Sequence, residues 1–312
     1  MELVFCGTPG FAVPTLDRLV EAGHRIVLVV TQPDRPRGRG LETAASPIKQ
    51  RALVLGLPIA QPDKIKTSDA FRSQLVSLKP EVIIVVGYGR MIPRWMIELP
   101  RHGNLNLHAS LLPKYRGAAP VQWAIANGES VTGVTTMRVD EGLDTGGILL
   151  QQEVAITPDD TALTLAPRFA EGGARLMVET LRQLAAGTLQ ARPQDHSRAT
   201  LAPLLKKEDG RIDFTWTATD IHNRLRGFQP WPGVYTGFRG KNLALWGVQP
   251  VSGVAVPPSE LRVANERLLL GCGRGSVLEI TELQPEGKKR MRARDFLHGY
   301  RPRDGERLGG PW

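Results

Sequence analysis

Short apolar runs alternate with stretches of helical periodicity through the first two thirds of the chain. Leu3 to Cys6, Ile26 to Val30 and Val82 to Val86 are apolar runs, the latter two rich in branched residues. Runs of this kind read as strands buried on both faces of a parallel sheet. Between the first two, Val13, Leu16, Leu19 and Val20 mark one face of a helix ending near Gly23. Further helices are predicted over Pro47 to Gly56, Ser68 to Leu78 and Pro120 to Asn127, and a long one, Ala162 to Ala186, closes the domain. Strand, helix, strand order predicts an α/β fold with an open, mostly parallel, Rossmann-like sheet. In such a sheet the ligand cleft lies outside the carboxyl ends of the strands.

The texture changes after that helix. Leu189 to Lys207 is polar, proline-punctuated and without periodicity, and reads as a linker. Beyond it come a helical stretch at Ala218 to Arg226 and short β-like runs separated by glycine and proline. Val234 to Phe238, Leu243 to Val248, Glu260 to Ala264, Leu268 to Gly271 and Val277 to Leu283 predict a small C-terminal β-barrel of OB-like form. The expected division is residues 1–188, a linker at 189–207, and a second domain at 208–312.

Composition narrows the class. The chain has 312 residues, enough for two cores, and 41% hydrophobic content is ordinary for a globular protein. Its longest apolar runs are too short to cross a bilayer. The opening MELVFCGT has neither a basic n-region nor a long h-region, so a cytoplasmic protein is expected, with no membrane association. The two cysteines, Cys6 and Cys272, are expected as reduced thiols. The six histidines are scattered without ligand spacing, so no metal is expected. The turn at Gly7 to Gly10 lacks the third glycine of a dinucleotide fingerprint, and Pro9 removes a donor.

Net charge is +9, which suits a polyanionic partner. Its placement is more telling. Thr31 to Gly40 sets Arg35, Arg37 and Arg39 in a glycine- and proline-rich segment expected to be irregular. Lys288, Lys289, Arg290, Arg292 and Arg294 form a dense second run, followed by Arg301, Arg303 and Arg307. Both are suited to gripping phosphates.

The chemistry concentrates between Asn104 and Gly147. In NLNLHASLLPKYRGAAP, Asn106 and His108 share one face of a strand, and Leu105 and Leu107 the other. The KYRG turn cannot continue the strand and so forms a mouth, and the DEGLDTGG loop brings Asp144 between glycines. An amide donor, a titratable imidazole and a carboxylate suit group transfer through a tetrahedral intermediate.

Asn106-x-His108, Ser110-Leu-Leu-Pro113, Arg116-Gly-Ala-Ala-Pro120 and Gly142-Leu-Asp144-Thr-Gly146 together resemble the signature of the folate-dependent formyltransferases. The RGAAP wording is similar to the branch that acts on methionyl-tRNA. The resemblance runs over nearly the whole chain. It implies formyl transfer from 10-formyltetrahydrofolate to the amino group of initiator methionyl-tRNA, by a monomer. Asn106 would donate to the oxyanion; His108 and Asp144 would orient or move the proton, with the division between them left open. Ser110, Leu111, Leu112 and Pro113 would border the tetrahydrofolate pocket, joined by Tyr88 and Gly89. Arg39 matches the key arginine of a loop that wedges beside the tRNA acceptor end, and Phe228-Gln-Pro-Trp-Pro232 resembles the family's PWP segment. Two departures stand out: Gly10 replaces a usual acidic residue, and Leu41-Glu42 replaces lysines. The rival readings are a formyltransferase for a small amine and a non-catalytic RNA-binding protein.

Overall fold

The computed structural model describes residues 1–37 and 42–310. It comprises two compact units: Met1–Pro120, Val131–Ala155 and Thr164–Pro203 form one, and Val121–Ser130, Ile156–Leu163 and Leu204–Trp312 the other. No helix among the described residues is long and apolar enough to cross a membrane.

The first unit holds β1 (Glu2–Gly7), β2 (Arg25–Val30), β3 (Arg35–Arg37), β4 (Glu42–Ala44), β5 (Ile59–Ala60), β6 (Val82–Val86), β7 (Asn104–His108), β8 (Val131–Arg138) and β9 (Ile148–Ala155). Seven of these form one sheet in the order β5-β2-β1-β6-β7-β8-β9. From β5 to β7 every pairing is parallel, whereas β8 and β9 run antiparallel. The sheet is therefore mixed. β8 and β9 escape a reading based on apolar runs because threonine, glycine and glutamine interrupt them. The short connection between them also permits only an antiparallel pair.

Its helices are α1 (Val13–Glu21), α2 (Pro47–Val54), α3 (Asp69–Leu78) and α4 (Arg94–Ile97). Next along the chain come α5 (Pro120–Ala126), which belongs to the second unit from Val121 on, and α6 (Ala162–Ala185), which belongs to the first from Thr164 on. Serines start two of them: Ser46 accepts from Lys49 N at 3.1 Å, and Ser68 from Phe71 N at 3.3 Å. Val4, Cys6, Leu28, Ile83, Phe71 and Leu75 meet in one core cluster.

One expectation is corrected here. The backbone around Arg35 and Arg37 is not irregular: β3 pairs antiparallel with β4, setting Arg35 opposite Ala44 and Arg37 opposite Glu42. A two-stranded ribbon has only edge strands, and edges tolerate Pro36.

In the second unit, α7 (Ala218–Phe228) starts in a capping box of Thr217 and Asp220. β10 (Val234–Phe238), β11 (Lys241–Val251), β12 (Leu261–Ala264), β13 (Arg267–Gly271), β14 (Val277–Pro285) and β15 (Met291–Arg292) follow, then α8 (Ala293–Tyr300). The strands form one antiparallel sheet in the order β10-β11-β14-β13-β12, with β15 beside the far half of β14.

The predicted barrel does not close. Among the described residues β10 and β12 do not pair. Instead an irregular C-terminal segment reaches both free edges: Leu261 N donates to Glu306 O and Gly309 N to Gly237 O, each at 2.8 Å. Closure requires a consistent tilt and stagger, which short runs and turn residues do not encode. The basic run at Lys288 leads into β15 and α8. Phe296 of α8 is fully buried, 5.2 Å from the Phe238 ring and 4.7 Å from that of Tyr300.

Candidate active site

β7 is placed by its first residue. The Asn104 side chain donates to Met96 O at 3.0 Å and Ile97 O at 2.9 Å, tying the strand's start to the end of α4. Leu107 packs so closely on α6 that a Cβ on Gly173 would lie 2.6 Å from its Cδ2. The opposite face carries Asn106 and His108. The Asn106 amide is half-buried and has no hydrogen-bond partner among the described residues. His108 is only 6% exposed, and its Nε2 lies 2.8 Å from Tyr115 O. A carbonyl only accepts, so Nε2 carries the proton. Nδ1 is then the nitrogen free to exchange one, and it faces Asp144 Oδ2 at 3.6 Å.

Two turns bring these groups together. In KYRG, Tyr115 has φ 61° and Gly117 φ 121°, and a Cβ on Gly117 would sit 2.7 Å from Ala202 O. In the Asp140 loop, Asp140 Oδ1 accepts from Gly142 N at 3.1 Å and Thr145 Oγ1 at 2.7 Å. Asp144 itself takes φ 52°, a left-handed conformation that aspartate tolerates better than most residues. The turns join where Gly117 N donates to Asp144 Oδ2 at 2.9 Å. Gly146 is obligatory, because a Cβ there would meet Arg138 O at 1.9 Å. Gly146→Ala is expected to destabilise the fold by about 3 kcal/mol, the upper end of ordinary overpacking. A urea midpoint unchanged from wild type would refute that reading.

The SLLP segment follows β7 directly and is held rigidly. Ser110 Oγ donates to Lys114 O at 2.6 Å, Thr135 Oγ1 to Ser110 O at 2.6 Å, and Gln151 Nε2 to Leu112 O at 3.0 Å. Leu112 is buried with Met137 and Ile148. Leu111 and Pro113 stay half-buried, Leu111 lying against Gly133. Tyr88 buries its ring in the core beside Val4 and Cys6, and burial pushes its phenol up to about 12. What Tyr88 offers at the strand ends is backbone: its carbonyl accepts from Thr8 Oγ1 at 3.2 Å and Gln32 Nε2 at 2.9 Å. Gly89, with φ 76°, leaves room for that glutamine, whose Nε2 would lie 2.6 Å from an added Cβ.

The basic residues fall into two groups. Arg35 and Arg37 belong to β3, while Arg39 lies outside the described residues. In the second unit Lys288, Lys289, Arg290 and Arg292 are exposed around the turn from β14 to β15. Arg290 pairs with Glu282 and lies 5.2 Å over the Trp246 ring. Lys288, Lys289 and Arg292 form no ion pair among the described residues. Trp231 of the FQPWP segment is 55% exposed. A cleft of about 860 Å³ in this unit, lined in part by Trp123, Trp216 and Arg224, contains none of the predicted site residues.

Sequence reasoning missed Gln194. It sits in the stretch read as linker yet is buried, donating through Nε2 to Asp144 O at 2.9 Å and Gly146 O at 2.7 Å. Its Oε1 accepts from buried Arg116, at 2.6 Å from Nη2. No local signal marks it, since a glutamine between proline and aspartate reads as loop.

The open α/β sheet carries an amide, an imidazole and a carboxylate at one strand end, a set suited to group transfer, and both cysteines are buried. The comparisons name the family. Residues 1–181 match the model for "Formyl transferase", and residues 204–301 match "Formyl transferase, C-terminal domain". The chain belongs to the formyl transferase family. It is 60% identical over 309 residues to the methionyl-tRNA formyltransferase of Koribacter versatilis, covering 99% of both chains. It is 59% identical to that of Acidobacterium capsulatum, covering 99% of this chain and 100% of that one. Among solved structures, the N-formyltransferase from Helicobacter canadensis, in complex with folinic acid and dTDP-3-aminofucose, has a similar fold. There the TM-score is 0.65 at 18% identity, covering 91% of this chain and 98% of the other.

Proposed function

We propose that this enzyme transfers the formyl group of 10-formyltetrahydrofolate to the amino group of methionine on initiator tRNA. Full-length identity to relatives bearing the methionyl-tRNA formyltransferase name supports the substrate pair. The convergence of Asn106, His108 and Asp144 at the end of β7 carries the chemistry. In this reading the methionine nitrogen attacks the formyl carbon and the carbonyl oxygen becomes an oxyanion. The carbon–N10 bond then breaks, the amine gives up a proton and N10 gains one. Asn106, with its amide uncommitted, donates to the oxyanion. His108 exchanges the proton at Nδ1, and Asp144 aligns it or relays the proton through water.

The folate substrate would lie along Ser110, Leu111, Leu112 and Pro113. Leu111 offers apolar surface there, while backbone groups, including those at Tyr88 and Gly89, meet the ring edge. Leu112 acts from beneath, as core support. Residues 1–188 would carry the chemistry, 189–207 the connection, and 208–312 much of the grip on tRNA. Arg35, Arg37 and Arg39 would contact the acceptor end, and Lys288, Lys289, Arg290 and Arg292 the tRNA backbone. The reading has the chain act as a monomer in the cytoplasm, without a metal.

The test is a transfer assay with labelled 10-formyltetrahydrofolate, comparing methionyl initiator tRNA, methionyl elongator tRNA and free small amines. Label on initiator tRNA alone is the expected result. Label on a small amine instead would overturn the assignment of the second unit. Arg39→Ala should raise KM for tRNA by about tenfold, roughly one phosphate contact, and leave KM for the folate unchanged. An equal rise in both would remove the loop from the tRNA interface.

A further inference from the structure

We infer that the stretch from Arg192 to Ala202 is a strap that fixes the reacting groups, and that Gln194 within it is a positioning residue acting on Asp144. This rests on the assignment of Asp144 and His108 to the reacting site. The strap lies beyond residues 1–181, which the N-terminal family model matches, and holds no regular element except a single 3-10 turn at His196–Arg198. Apart from the bonds that close its own turn at residues 195–199, its hydrogen bonds run to the Asp144 loop, the start of β9 and residues 113–119.

The strap is pinned at both ends. At its start, Arg192 exchanges two backbone hydrogen bonds with Ile148, each 2.8 Å, just past the Asp144 loop. At its end, Thr200 Oγ1 accepts from Tyr115 N at 2.8 Å and Thr200 O accepts from Arg116 N at 2.8 Å. Ala202 N then donates to Arg116 O at 2.7 Å, and Ala202 O accepts from Ala119 N at 3.1 Å. Tyr115, whose carbonyl accepts from His108 Nε2, is therefore held by the strap at the peptide nitrogens on both sides, its own and that of Arg116.

Gln194 stands between these anchors and touches both catalytic turns. Its amide donates to Asp144 O and Gly146 O, and its oxygen accepts from Arg116 Nε at 3.1 Å as well as from Nη2. Arg116 Nη2 also donates to His196 Nδ1 at 3.2 Å. Every hydrogen-bonding position on a buried glutamine is thus used, which makes its rotation costly. The consequence falls on Asp144, a non-glycine residue at φ 52°. Asp144 keeps that conformation while its carboxylate is held by Gly117 N and its carbonyl by Gln194. Release of the carbonyl lets the peptide relax to negative φ and turns the carboxylate away from His108 Nδ1.

The discriminating variant is Gln194→Glu in the full chain. It keeps the volume and the acceptor for Arg116 but cannot donate to Asp144 O or Gly146 O. Turnover should fall about 10²-fold, as for a misplacement of about 1 Å in a reacting group. KM for the folate and for tRNA should each stay within about twofold, because no substrate contact is lost. Added to Asp144→Asn, it should cost little further turnover, since both act through one carboxylate. Gln194→Asn, measured in parallel, retains an amide one methylene short and should show the same pattern.

A folded Gln194→Glu or Gln194→Asn protein with turnover within about twofold of wild type would overturn the inference. So would losses that multiply with Asp144→Asn, or the failure of both variants to fold, which would make Gln194 structural. If Asp144→Asn alone leaves turnover intact, the assignment of Asp144 fails instead, and the two failures are told apart.

Discussion

His108→Ala is expected to lower turnover by about 10²–10⁴-fold, the range for loss of a positioned acid–base group. The imidazole is fixed through Nε2 by Tyr115 O at 2.8 Å, and its Nδ1 faces the Asp144 carboxylate at 3.6 Å. Alanine removes a buried ring and the donor to Tyr115 O, so some loss of stability accompanies the loss of turnover. His108→Gln separates the two effects. Its Nε2 can donate to Tyr115 O as the imidazole does, but it cannot exchange a proton. Turnover in His108→Gln should fall nearly as far as in His108→Ala, with the unfolding midpoint largely restored. Turnover within about tenfold of wild type in the glutamine variant would mean that His108 serves as a hydrogen-bond donor and not as a proton carrier.

Asn106→Ala should lower turnover by about 10²–10³-fold, as removal of single oxyanion donors does elsewhere. The case is clean because the Asn106 amide makes no internal hydrogen bond among the described residues. Its removal breaks nothing in the resting protein, so the unfolding midpoint should hardly move while kcat falls. KM for both substrates should be little changed, because an oxyanion exists only along the reaction path. Near-normal turnover in Asn106→Ala would remove it from the site. A large rise in KM with constant kcat would make it a ground-state binding residue.

Asn106, His108 and Asp144 were legible as a group because each occurs in a short, distinctive wording with a direct physical sense. Strand alternation put the first two on one face, and the glycines around Asp144 marked a tight turn. The structure supplies the reason for those glycines: the backbone passes too close to Arg138 O and Ala202 O for a Cβ at Gly146 or Gly117. The tyrosine at position 88 shows the limit of such reading. Its place in the chain suggested a pocket wall, but the ring turns into the core and only the backbone faces the strand ends.

Local elements were legible in the sequence alone. Apolar runs and helical periodicity act between residues a few positions apart, so β1, β2, β6 and α1 could be read directly, and the wording around Asn106, His108 and Asp144 marked them as candidates. The tertiary structure alone decided the antiparallel β8 and β9, the β3–β4 ribbon, the open C-terminal sheet and the burial of Gln194 among its four hydrogen bonds. The ribbon apart, these rest on partners distant in the chain: Asn106 beside Met137, Arg116 beside Leu201, Asp144 O bonded to Gln194. Register and close approach between remote backbones depend on the packing of the whole unit. A polar stretch without periodicity reads as a linker until the turns it fastens are in place.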